Sequence, residues 1–229
     1  NAGATVTFDN CIITGNSVTN NQGGGALFFA NGTLNIIDSS FENNTSSTKG
    51  GAIFANSGTI SISNTLFKTN SAASKGGAIY TVNADFAITG STFYDNETTG
   101  AGGGSAFYVA GSGSSNSITN CTFLQNTTAN GNQDYGTIRT DNGNTTVTNS
   151  LFYDNKTNNN TGGYSDWGSG PGGIQTFNTS IAQWISTNID NKDEGAGSIT
   201  GIKGGAGTPA DLTSSNLVFN ATSGYVEYN

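Results

Sequence analysis

Apolar and polar positions alternate along this chain in short bursts, and the bursts return. In T33-L-N-I-I37 the apolar Leu34 and Ile36 face one way and the polar residues the other, and S39-S-F-E-N-N44 follows with a single aromatic, Phe41. The same order recurs in T59-I-S-I-S-N-T-L-F-K-T-N70 and D85-F-A-I-T-G-S-T-F-Y-D-N96, with further copies from Thr5 to Asn16, Ser115 to Asn126 and Asn144 to Asn155. Each copy closes on asparagine, at 16, 44, 70, 96, 126 and 155, so the steps are 28, 26, 26, 30 and 29 residues. A Gly-led segment follows each closing asparagine: G24-G-A-L-F28, G50-G-A-I-F54, G76-G-A-I-Y80, then the looser G104-S-A-F-Y108 and G136-T-I-R139. Alternation at period two is the mark of strands. A 3.6-residue period is absent, and Gly, Asn, Ser and Thr are poor helix formers.

Each repeat therefore predicts three short strands: one alternating (Leu34, Ile36), one ending in an aromatic (Ser39, Phe41), and one Gly-led, with Ala52 and either Phe54 or Ile53 inward. One such unit cannot bury its apolar face alone, but stacked units close a continuous core. The prediction is an all-β, right-handed parallel β-helix, a solenoid of about six coils over Thr5 to Asn155, right-handed because parallel crossovers almost always turn that way. Coils about 4.8 Å apart turn aligned positions into columns. Phe41, Phe67, Phe93, Phe123 and Phe152, with Ile13 before them, form an aromatic stack. Asn16, Asn44, Asn70, Asn96, Asn126 and Asn155 form a ladder whose amides bond from coil to coil, asparagine also tolerating a left-handed bend. Gly25, Gly51 and Gly77 serve corners that have no room for a β-carbon. Cys11 and Cys121 share the column of Ser39, Thr65, Ser91 and Ser150, four coils apart, hence about 19 Å, too far for a disulfide. They are expected as free thiols standing in for hydroxyls.

After Asn155 the register dissolves. A solenoid over 1–177 and a cap or β-appendage over 178–229 are expected. N178-T-S-I-A-Q-W-I185 predicts a short amphipathic helix, and S198-I-T-G-I-K203, N216-L-V-F-N220 and Y225-V-E-Y228 predict further strands. At the other end, Asn1 to Ala4 run straight into the first strand. That leaves the first coil's edge to be covered by adjoining domains of a longer chain or by another copy.

Composition then limits function. Charged residues are 10% and hydrophobics 33%, which spells disorder unless the apolar residues recur in register, as they do here. A formal charge of −8 with seven cations argues against nucleic acid as a partner. No run of about 18 apolar residues exists to span a bilayer as a helix. The sequons at Asn31, Asn44, Asn96, Asn126, Asn144 and Asn220, with abundant Asn and no Met, fit an exported chain, with glycans as candidate modifications.

G50-G-A-I-F54 followed by S61-I-S-N-T-L-F-K-T-N70 resembles the repeats of polymorphic outer-membrane proteins and of right-handed β-helix adhesin-like proteins of bacteria and archaea. Ser165-Asp-Trp-Gly-Ser-Gly-Pro171 is similar, at shorter spacing, to the W-G-x-x-x-G-P element of archaeal adhesin-like chains. The resemblance implies a surface location. It fixes no activity, and the membrane barrel of the polymorphic proteins has no counterpart here.

Catalytic chemistry finds little purchase. The chain has no histidine, which removes His-based triads and zinc sites of the H-E-x-x-H kind. Arg139 is the single arginine, near Asp134 and Asp141, and reads as part of a solvated turn rather than the base of a lyase. Asp95 and Asp154, two coils and so about 9.6 Å apart, are the best carboxylate pair, near the upper separation for an inverting glycosidase. No apolar surround that would raise one pKa is evident there. D190-N-K-D-E194 reads as a polar turn rather than a calcium loop, and Lys49 and Lys75 as solubilising charges. Tyr80, Tyr94, Tyr108 and Tyr153 would stack on sugars if exposed together. The expectation is an extracellular or cell-surface structural, adhesive protein without catalytic residues, cofactor or metal, self-associating head to tail into a fibre. The alternative is a carbohydrate-binding or polysaccharide-degrading module.

Overall fold

The structure is a computed structural model; it describes residues 3–100, 102–129 and 136–157, and strands at 163–164, 167–169, 173–178, 217–220 and 225–228. The chain winds as a parallel β-helix through three sheets: a wide one of nine strands, an aromatic one of six and a narrow one of seven. Pairing follows the sequence repeat. Phe8, Ile36, Ile62, Ile88, Ile118 and Val147 align across the wide sheet, and Ile13, Phe41, Phe67, Phe93, Phe123 and Phe152 across the aromatic one.

The division of each coil into strands differs from the expected one. The Gly-led strand does not stand alone: it runs into the alternating strand of the next coil as one element, Ile53–Ser63, Ile79–Thr89, Phe107–Thr119 and Ile138–Thr148. In the first coil the two parts are separate strands, Leu27–Phe29 and Thr33–Ile37, and beside Ile138–Thr148 they are again two, Trp167–Ser169 and Gly173–Asn178. The third sheet comes instead from the two residues after each ladder asparagine, such as Thr45–Ser46, Ser71–Ala72 and Glu97–Thr98. On the Gly-led segment Ile53 and Ile79 point into the main core, whereas Phe54, Tyr80 and Tyr108 form a separate cluster outside it.

The left-handed bend lies one residue before the ladder. Asn43, Thr69, Asp95, Gln125 and Asp154 have φ of 53, 51, 54, 54 and 52°, and no ladder asparagine has positive φ. The ladder side chains thus project inward. Asn70 donates its amide to Phe41 O at 2.8 Å and Asn96 Oδ1 at 3.0 Å, and its Oδ1 accepts Asn44 N–H at 3.1 Å and Asn44 Nδ2 at 3.0 Å. Asn96 and Asn126 repeat the pattern, and Asn155 Nδ2 ends it on Phe123 O at 3.0 Å.

The buried phenylalanines lie nearly parallel, centroids 5.3, 4.9, 4.7 and 4.5 Å apart from Phe41 to Phe152. Equal spacing of rungs places each ring over the next. Phe93→Leu keeps most of the buried volume but removes two ring contacts, and a loss of about 2 kcal/mol is expected. Urea unfolding of the whole chain measures it; an unchanged midpoint would mean that the stack contributes only by area.

Gly51 and Gly77 stand where a β-carbon would lie 2.0 Å from the carbonyl oxygen of the next rung, and Gly25 where it would lie 2.2 Å away. The aligned Ser105 is accommodated because the corner changes: Gly104 N–H and Ser105 N–H both donate to Gly136 O. Near the end of the solenoid, Gly173–Asn178 continues the wide sheet beside Ile138–Thr148. Asn178, the expected start of a helix, is therefore a strand residue; 179–185 and the strand expected over 198–203 lie outside the described residues. Leu217–Asn220 and Tyr225–Tyr228 are strands, paired antiparallel with each other.

Candidate functional site

The bend that places Asp95 outside the core also brings it beside Glu97. Asn96 points inward, so its two neighbours share the outer surface, and together with Thr69, Ser71 and Thr127 they line an open cleft of about 290 Å³. Burial raises the Asp95 carboxyl above its ordinary pKa, against the hydrogen bond from Thr69 and the charge of Lys68. The shift runs in the direction a proton donor requires, on a residue that as a whole is exposed to solvent. Asp95 and Asp154 stand in one column two rungs apart, as the spacing predicts. Gln125 lies on the rung between them and donates to Asp154 at 3.3 Å, and Lys156 Nζ is 3.2 Å from the same carboxylate. The sequence signal for the two acids of this cleft was the tripeptide D-N-E, two acids flanking an inward residue.

A second outward feature is the column Phe28, Phe54, Tyr80, Tyr108 and Arg139. Lys49 Nζ stands 5.0 Å from the Phe54 ring centre and 5.1 Å from that of Tyr80, and Lys75 Nζ 4.6 Å from that of Tyr108. Such cation contacts contribute on the order of 0.5–1 kcal/mol each and shelter the rings from water. Lys49 and Lys75 are thus covers for aromatics as well as surface charges. Arg139 Nε bonds Asp141 at 2.9 Å, and Tyr108 donates its hydroxyl to the same carboxylate. Burial raises the Tyr80 and Tyr108 hydroxyls above their ordinary pKa, with Asp141 adding to it, and burial lowers Lys75. Arg139 and Asp141 therefore close a half-buried network rather than a solvated turn. Asp134 lies outside the described residues, as does 190–194.

The four tyrosines make no common platform. Tyr80 and Tyr108 are 6% and 1% exposed, while Tyr94 and Tyr153 belong to the aromatic sheet, with Leu124 between them. The sequons divide similarly. Asn44, Asn96 and Asn126 are fully buried with both amide hydrogens engaged, so a glycan there and this fold exclude each other. Asn31 and Asn144 are exposed, and Asn220 is a strand residue. Expressed through a glycosylating secretory route, folded chain should carry glycans at Asn31 or Asn144 and none at the three ladder positions, as glycopeptide mapping will show. Ladder glycans on folded protein would contradict the hydrogen bonding.

Both cysteines are free. Cys121 N–H donates to Ser150 Oγ at 3.1 Å, as Thr65 N–H does to Ser91 Oγ at 3.2 Å, and the Cys121 thiol donates to Thr119 O at 3.3 Å. The thiol thus takes the hydroxyl's place in the column. Burial pushes it up to about 11, whereas Cys11 is only partly buried. At pH 8 a thiolate-selective alkylating reagent should label Cys11 in folded protein and reach Cys121 only on unfolding. Equal labelling in the folded state would show that this part of the core opens.

The model of the right-handed beta helix region matches residues 1–129, more than half of the 229-residue chain, and the chain belongs to that family. The family holds polysaccharide-degrading enzymes and non-enzymes alike. No curated protein and no solved structure matches the chain. No helix among the described residues is long and apolar enough to cross a membrane.

Proposed function

We propose that this chain is a structural, adhesive rod of the cell surface or extracellular space. One observation carries the reading: the side chains that recur with the repeat, Asn and Phe above all, are turned toward the neighbouring rungs, whereas the acids of the cleft do not follow the repeat, Asp95 having an acid again only at Asp154 and Glu97 aligning with Thr45, Ser71, Thr127 and Lys156. Repetition here builds length and stiffness. The resemblance of the GGAI and FxxN elements to surface-protein repeats supports the location. The finer form of the proposal is a fibre. The rungs pair through parallel backbone hydrogen bonds, so a terminal rung of one copy can continue the stack of another, and such a head-to-tail contact does not close. Negative-stain microscopy with sizing over a range of concentrations tests it: filaments support the fibre, and single rods at every concentration remove it.

The Asp95–Glu97 cleft favours a second reading, action on carbohydrate. In it Asp95 would protonate a glycosidic oxygen and Glu97 would act as base or nucleophile. A reducing-sugar assay on a polysaccharide panel decides. Release abolished by Asp95→Asn and by Glu97→Gln establishes the cleft as a catalytic site; no release by the parent chain removes this reading.

A further inference from the structure

We propose that the Asn31–Gly32 turn is a site of self-modification, in which the backbone nitrogen of Gly32 displaces the side-chain nitrogen of Asn31. The turn joins Leu27–Phe29 to Thr33–Ile37, and Asn31 is exposed to solvent. Gly32 N–H donates to Asn31 Oδ1 at 2.8 Å. That oxygen is bonded directly to the amide carbon, so the nucleophile already stands beside the atom it would attack, the condition under which an intramolecular step gains most. The turn is held in this form from both sides: Thr33 N–H donates to Ala4 O, and Thr59 N–H to Gly32 O, each at 2.9 Å. Gly32 has φ of 116°, and a β-carbon there would lie 2.3 Å from Ala4 O. Glycine is required by the fold, and it also leaves ring closure unhindered.

The chemistry balances without a co-reactant other than water. Gly32 N gives up its proton to solvent and forms a bond to Asn31 Cγ. The tetrahedral carbon then collapses, expelling the side-chain nitrogen, which takes up a proton and leaves as ammonia. The resulting five-membered imide is opened by water at either carbonyl, giving aspartate or isoaspartate at position 31. Isoaspartate adds a carbon to the main chain between Phe29 and Thr33 and so disturbs the bonds to Ala4 and Thr59. Either product also destroys the sequon N31-G-T33, so a glycan and this conversion compete for one nitrogen. The ladder asparagines are protected from such loss by burial: Asn70 has both its oxygen and its nitrogen engaged.

The test is peptide mapping by mass spectrometry of the full chain held at neutral pH, folded and in parallel in denaturing urea. The expected result is an amide-to-acid mass gain at position 31, with isoaspartate among the products, accumulating faster in the folded chain than in the unfolded one. Asn31→Gln, whose ring would be six-membered, should show no comparable gain while keeping the urea midpoint. Conversion at position 31 that is slower in the folded chain, or none within the time the unfolded chain takes, overturns the proposal. Equal rates would also overturn it, because the turn would then contribute nothing.

Discussion

Asn70→Ala is expected to cost about 4 kcal/mol, a large part of the 5–15 kcal/mol that ordinarily holds a domain together. Two hydrogens of Asn44, on its backbone and side chain, end on Asn70 Oδ1, and Asn70 Nδ2 reaches Phe41 O. All three residues are completely buried, so water cannot replace what the substitution removes. Each donor or acceptor left unpaired costs about 1–3 kcal/mol. Asn70→Asp should be no better, since a carboxylate keeps the acceptor but turns a charge toward Phe41 O and Asn96 Oδ1 in a dry interior. The internal control is Asn16→Ala. Asn16 is exposed, and its amide bonds Thr14 O at 3.3 Å and Asn44 Oδ1 at 3.0 Å, so a loss under about 1 kcal/mol is expected there. Urea unfolding of the three variants makes the comparison. Equal, small losses at 16 and 70 would mean that the ladder bonds add nothing to stability.

Gly51→Ala should prevent folding or cost at least about 3 kcal/mol. The added carbon would meet Gly77 O at 2.0 Å and Ser71 N at 2.6 Å, backbone atoms of the next rung that cannot move without breaking its pairing. Gly15→Ala separates crowding from backbone strain. Gly15 has φ of 70° but nothing within 4 Å of where a β-carbon would stand, and its column carries Asn43, Thr69 and Asp95 at similar φ. Only the left-handed penalty of about 1–2 kcal/mol should be lost there. Soluble yield and urea midpoints distinguish the two. A Gly51→Ala chain as stable as the Gly15→Ala chain would show that the rungs are further apart at this corner than 2.0 Å allows.

The fold was readable because its signal is repetition. Asn44, Asn70 and Asn96 recur at a constant step, and a constant step with like residues can be satisfied only by stacking them. What repetition could not convey was how each coil is divided. A two-residue strand such as Ser71–Ala72 is too short to show alternation, so the narrow sheet left no mark. The left-handed position is filled by Asn43, Thr69, Asp95, Gln125 and Asp154, which share no side-chain chemistry, and the ladder asparagine beside it drew the inference instead. Phe54 and Ile53 are both apolar, and alternation cannot tell a core residue from one buried outside the core beneath Lys49. The Asp95–Glu97 cleft was missed for a related reason. Rung spacing ranks acids by column, while this pair lies along a single coil, around the inward Asn96.

The central claim is that identical side chains lie in register from rung to rung and seal the interior by bonding one another. Hydrogen exchange of asparagine side-chain amides, followed by NMR on folded chain with nitrogen-labelled asparagine, tests it most directly. Slowly exchanging side-chain amides are expected at Asn44, Asn70, Asn96, Asn126 and Asn155, whose nitrogens donate to Ile13, Phe41, Phe67, Phe93 and Phe123, and rapid exchange at Asn31 and Asn144. Rapid exchange at all of these asparagines in the folded chain would contradict the claim.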